Sequence, residues 1–178
     1  KEGYYYKPRI DKEVLKKYSR GLIATSACLV GEVPSVVAAQ NIEKAVKIIK
    51  EHQEIFGKEN FFLELQDHPE LPEQGRVNSQ LIDLAKKLKV PLVATNDIHY
   101  VKREDREPHE VLVCVQTGKT IDDVDRMTYD GDFSMRPPQE IIDAFSAVPE
   151  AISNTVEIAR RCNVELSLGK EILPVYPV

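Results

Sequence analysis

Tryptophan is absent from this 178-residue chain, so tyrosine and phenylalanine supply all of its aromatic packing. Cysteine is scarce: the 3 residues are odd in number and have no C-x-x-C spacing. That argues against a disulfide scaffold and fits a reducing compartment. No apolar run approaches the roughly 20 residues that span a bilayer, and the N-terminus carries no signal-peptide pattern. The expectation is a cytoplasmic chain with no membrane partner. An excess of basic charge is missing too. Lys and Arg number 24 against 29 Asp and Glu, for a net charge of -5. The basic residues are scattered among acids, which argues against this segment gripping a phosphate backbone by itself. There is no G-x-x-x-x-G-K-[ST], G-x-G-x-x-G or G-x-S-x-G, hence no local argument for a phosphate loop or a serine nucleophile. Internal repeats and low-complexity tracts are also lacking.

What is present suits a folded domain: 42% hydrophobic and 30% charged residues can bury a core. KEGYYYKPRI (1–10) reads as extended or loop. Asp11 is placed to cap a short helix through Tyr18, with Val14 and Leu15 inward. GLIATSACL (21–29) reads as a strand and GEVPS (31–35) as a turn. Asn41 caps a long amphipathic helix that Gly57 ends. NFFLELQDH (60–68) is a second strand, bounded by Pro69 and Pro72. NSQLIDLAKKLK (78–89) is a helix, and PLVATND (91–97) a third strand. Strands alternating with helices predict an α/β fold with parallel strands and right-handed crossovers. Helices follow over 109–118, 137–147 and 149–162. GKEILPVYPV (169–178) looks like a linker.

The most informative stretch is PLVATNDIHY (91–100). An apolar strand ends by presenting Asp97 and His99, two residues apart and so on one face of extended backbone. Functional groups of parallel α/β folds gather at the carboxyl ends of strands. Three strand ends here carry metal-capable groups: Cys28, His68, and Asp97 with His99. Thiolate, imidazole and carboxylate suit zinc; a carboxylate-richer site suits manganese. Each has a plainer reading. Cys28 serves equally as a small buried hydrophobe, His68 as a loop histidine, Asp97 as a turn cap, and His99 as a ring bonded to backbone. His52 reads as part of a solvated helix face and His109 as a helix-start residue. Cys114 and Cys162 read as core, and Lys102 to Glu107 as a solvated mixed-charge segment. Asp122, Asp123 and Asp125 read as turn chemistry.

These residues carry a resemblance. GLIATSACLVGEVPS (21–35), FFLELQDH (61–68) with Glu73, Gln74, Val77 and Asn78 after it, residues 91–120 and PEAISNTVEIARRCNVEL (149–166) occur in order along nearly the whole chain. Together they resemble the later part of the PHP (polymerase and histidinol phosphatase) domain of the bacterial DNA polymerase III alpha subunit. The resemblance implies part of a distorted (β/α)7 barrel with parallel strands, followed by helices. Residues 1–168 would be the C-terminal part of that domain and 169–178 a linker towards the polymerase body. It implies that Cys28 matches the family's cysteine ligand, and Asp97 and His99 its final D-x-H ligands; His68 is not carried over. The complete domain would hold divalent metal ions, zinc or manganese, weakly or not at all in this segment. Metal-keeping members are linked to phosphoesterase or 3′–5′ exonuclease activity. The parent would be a DNA-directed DNA polymerase. Its partners are the rest of the alpha chain, other replisome subunits, and DNA through the parent rather than this segment.

The family's opening H-x-H motif has no match here, nor do the polymerase's catalytic aspartates. The chain therefore reads as a fragment that by itself neither polymerises DNA nor hydrolyses phosphodiesters efficiently. Its open strand edges admit pairing with a second copy. One rival reading is a non-catalytic scaffold that binds replisome subunits. The other, a free-standing metal-dependent phosphatase, would need its ligand set within this chain.

Overall fold

The computed structural model describes residues 3–169. The N-terminal segment turns back at Tyr6, whose φ is 58°. Strands β1 (Tyr4–Tyr5) and β2 (Lys7–Pro8) thereby pair antiparallel. Asp11 accepts a hydrogen bond from the Val14 amide at 2.8 Å and starts helix α1 (Lys12–Tyr18), the expected cap. From there strands and helices alternate: β3 (Ala24–Thr25), α2 (Glu32–Ala38), α3 (Ile42–Phe56), β4 (Phe61–Gln66), α4 (Pro72–Leu88) and β5 (Leu92–Thr95). The three strands form one sheet in the order β3-β4-β5, every pair parallel, as the alternation predicts. The architecture is mixed α/β around a small parallel sheet.

Several boundaries differ from expectation for local reasons. The strand expected over 21–29 shortens to Ala24–Thr25, because Ala27 adopts φ 62° and turns the chain out of the sheet. The expected turn at 31–35 is the start of α2, since Pro34 in a first helical turn lacks no needed amide. Helix α4 begins at Pro72, six positions before Asn78, because Pro72 opens the helix rather than blocking it. Asn41 and Gly57 bound α3 as read from the sequence. Val14 is exposed and Leu15 half-buried, not inward. Helix α1 is tied down by polar contacts, with Lys12 Nζ 2.7 Å from both Glu32 and Glu51, so its apolar side gains no covering layer.

Strand alternation gives the sheet two different faces. Phe61, Leu63 and Leu65 of β4, with Leu92 and Ala94 of β5, enter the core with Ala45 and Ile49 of α3 and Val77, Leu81 and Leu84 of α4. The opposite face carries Thr25, Glu64, Gln66 and Thr95, joined by hydrogen bonds. His52, expected on a solvated face, is half-buried and stacks on Phe61 with ring centroids 5.0 Å apart.

Beyond β5 a 3-10 turn (Arg103–Asp105) leads into α5 (Arg106–Thr117), followed by α6 (Pro138–Ala144) and α7 (Pro149–Arg161). Helix α7 packs along β5, and Asn154 donates to the Leu92 carbonyl at 2.7 Å, which occupies part of that strand's free edge. Cys114 is buried as expected. Cys162 is exposed, because α7 ends at Arg161 and releases it from the apolar stripe. The linker expected over 169–178 lies almost wholly outside the described residues.

The turn between β3 and α2 is closed by Gly31, whose amide donates to the Cys28 carbonyl at 2.8 Å. A Cβ at Gly31 would stand 2.4 Å from the Ser26 carbonyl oxygen and 3.0 Å from that of Cys28. Backbone atoms there cannot swing aside. Gly31→Ala is therefore expected to destabilise the protein by about 1–3 kcal/mol, the usual cost of overpacking. Urea unfolding against the wild-type chain checks this; an unchanged midpoint would mean the turn yields freely.

Candidate functional site

The register of the sheet decides which strand-end residues meet. Gln66 pairs with Thr95, so two further residues along each chain bring His68 level with Asp97. His68 Nε2 lies 3.1 Å from Asp97 Oδ2, and His99 Nε2 lies 3.4 Å from Asp97 Oδ1. One carboxylate thus sits between two imidazoles. Asp97 reaches this position in left-handed backbone, φ 53°, a region that aspartate tolerates better than most residues and that is enriched at functional sites.

A carboxylate only accepts, so His68 donates to Asp97 through Nε2 and its Nδ1 faces elsewhere. That Nδ1 is buried and without a hydrogen-bond partner. The His68 side chain is 3% exposed, whereas Asp97 and His99 are 20% and 26% exposed. His68 does lie in the loop after β4, but it is buried there: Phe133 packs over the ring with centroids 4.5 Å apart. The hydrogen bond from His68 is the main reason the Asp97 carboxyl lies below its ordinary value. Burial opposes that shift and the nearby His99 adds to it.

The wall of the site comes from a segment that sequence reading left unassigned. His99 donates its amide to the Phe133 carbonyl at 2.9 Å, Tyr100 and Ser134 form a parallel bridge, and the Tyr100 hydroxyl accepts from the Phe133 amide at 3.0 Å. Tyr129 and Phe133 each lie 4.8 Å from the His99 ring. His109, expected only at a helix start, joins this aromatic group 5.8 Å from His99. Arg136 donates to Asp67 Oδ2 at 2.7 Å and fixes the residue before His68. An adjoining cleft includes Arg103 and Arg106. Glu70 and Asp132 line the same cleft, and Arg103 pairs with Asp132 at 2.6 Å, so the cleft offers no surplus positive charge to a phosphate. Asp123 accepts from the Thr120 amide at 2.7 Å, the turn chemistry expected of that acidic run.

Cys28 follows the last residue of β3 by three positions, after Ala27 at φ 62° has turned the chain out of the sheet. Among the described residues no three His, Cys, Asp or Glu side chains are arranged to hold a metal ion together. The donor chemistry fits a divalent metal in part. Asp97 and His99 are adjacent, accessible oxygen and nitrogen ligands of the kind zinc and manganese take. His68 fits instead as the group that orients Asp97, because its Nε2 is already donating. The signal for His68 was available in the sequence: it follows β4 by the same two residues that separate Asp97 from β5.

Comparison with known proteins agrees with the resemblance seen in the motifs. Residues 1–68 match the PHP domain family, a span that includes Cys28 and His68 and stops before Asp97. Over 99% of its length the chain is 38% identical to a DNA polymerase III subunit alpha of Treponema pallidum. It is 41% identical, over the same 99%, to those of Borreliella burgdorferi and Thermus aquaticus. In each case it spans 15% of the relative's own length. Among the described residues no helix is long and apolar enough to cross a membrane. The chain is thus the counterpart of one stretch of the DNA polymerase III alpha subunits, and it opens with PHP-domain sequence.

Proposed function

We propose that this chain supplies part of a metal-dependent phosphoesterase site, of the 3′–5′ exonuclease type, within a PHP domain of a replicative DNA polymerase alpha chain. Cys28, Asp97 and His99 are its contributed ligands. Residues 1–168 belong to that domain, a distorted (β/α)7 barrel, and 169–178 lead towards the polymerase body. The observation that carries this reading is the Asp97–His99 pair at the carboxyl edge of a parallel sheet, oriented by a buried His68. A zinc or manganese ion bound there would act as a Lewis acid and lower the pKa of a bound water. What the chain's own groups do is narrower. His68 holds Asp97 ionised and aimed, Tyr129 and Phe133 limit water around His99, and Arg136 fixes the loop before His68. DNA, the rest of the alpha chain and other replisome subunits are the partners of the whole protein, in the cytoplasm.

A second reading, a scaffold with no metal, is favoured by the contacts that the two imidazoles already make with both Asp97 oxygens. Metal analysis of the purified chain, loaded with zinc or manganese and desalted, separates the two. The metal reading expects bound metal in the wild type and about 10-fold or weaker binding in His99→Ala. Equal retention by both would favour the scaffold. In the full alpha chain, manganese-dependent 3′–5′ exonuclease activity lost in His99→Ala would extend the reading to activity.

A further inference from the structure

We propose that Glu64 is a positioning residue that clamps the two strand ends from which Cys28 and Asp97 depart; its connection to metal rests on the ligand reading above. Glu64 sits in the middle of the central strand, on the sheet face away from the hydrophobic core. Its Oε2 accepts from the Thr25 hydroxyl at 2.5 Å and its Oε1 from the Thr95 hydroxyl at 2.6 Å. The Gln66 side-chain amide donates to Oε1 at 3.0 Å, and the Glu64 backbone amide donates to the Ser26 hydroxyl at 2.8 Å. One side chain therefore spans all three strands.

The places it grips are informative. Thr25 and Thr95 are the last residues of β3 and β5. Each is followed two residues later by a non-glycine residue in left-handed backbone, Ala27 at 62° and Asp97 at 53°. A strand end that must deliver its chain into such a turn at a defined angle needs an anchor immediately before it. Strand β3 has only two residues, so its ladder alone gives little anchorage. A glutamate meets the geometry because its two oxygens accept from both sides at once. The half-buried carboxylate in turn keeps both threonine rotors and the Gln66 side chain fixed.

Hydrogen exchange on three variants tests this. The Gly31 and His99 amides report on the two loops, being bonded to the Cys28 and Phe133 carbonyls, while the Leu63 amide, bonded to the Pro91 carbonyl, reports on the core. Glu64→Ala and Glu64→Leu are expected to speed exchange at Gly31 and His99 by about 10-fold or more with Leu63 unchanged. Glu64→Gln is expected to restore slow exchange, because an amide can accept from one threonine and donate to the other. Acceleration at Leu63 equal to that in the loops would overturn the proposal, making Glu64 a general strut. A Glu64→Gln variant as loose as Glu64→Ala would also overturn it, since charge rather than bridging would then be the requirement. Cobalt titration of the same proteins adds the metal arm: a thiolate–cobalt band is expected in the wild type, weakened about 10–100-fold in Glu64→Ala. No band in the wild type would sink the ligand reading alone, and the exchange rates would still decide the role of Glu64.

Discussion

Asp97→Ala is expected to lower folding stability by about 2–5 kcal/mol. Two costs combine. The buried His68 ring loses the acceptor for its Nε2 proton, and an unsatisfied buried donor costs about 1–3 kcal/mol. Alanine must also occupy the left-handed backbone at φ 53°, at about 1–2 kcal/mol. Asp97→Asn separates fold from ligand. Asparagine tolerates that backbone and keeps an oxygen for His68, so most of the stability is expected to return, while any metal affinity that needs a carboxylate does not. The pH dependence follows from the direction of the shift. The Asp97 carboxyl lies below its ordinary 3.8 in the fold. The ionised group's contribution is therefore fully present above pH 3.8 and is lost as pH falls through the lower folded value. The stability gap between the wild type and Asp97→Asn is expected to be constant near neutrality and to close only in that acid window. Urea melts from neutral pH down to that window measure it; an Asp97→Ala melt that overlays the wild type at neutral pH would remove Asp97 from the structural account.

Leu65→Ala is expected to cost about 2–5 kcal/mol, the range for emptying a fully packed leucine site. Leu65 is 0% exposed and belongs to the cluster shared by β4, β5, α3 and α4. A central strand held by ladders on both sides cannot shift to fill the cavity without breaking its register with Ala94. Leu65 also lies between Glu64 and Gln66, so loosening it disturbs the polar face that it backs. Leu166→Ala is the control: it is 76% exposed, and a change within about 0.5 kcal/mol is expected. A small loss at Leu65 would mean the core collapses into the gap more easily than close packing allows.

Much of this was legible in the chain because the signals were local. Asp11 and Asn41 each cap a helix with a side-chain oxygen, and Gly57 ends α3, because capping depends on residues a few positions apart. The parallel strands followed from their alternation with helices. Proline was the weak point: Pro34 and Pro72 read as breakers, yet both sit in first helical turns, where a missing amide costs nothing.

The site divides in the same way. Asp97 and His99 could be paired from their two-residue spacing, a matter of backbone geometry alone. That His68 meets Asp97 was decided by the register between two strands whose sequences lie 29 residues apart. The covering segment at Phe133 and the stacking of His52 on Phe61 likewise depend on how distant pieces pack. Sequence by itself determined the helix caps, the strand order along the chain and which side chains could do chemistry. Tertiary structure alone decided which of them touch, because register and packing are set by the core as a whole.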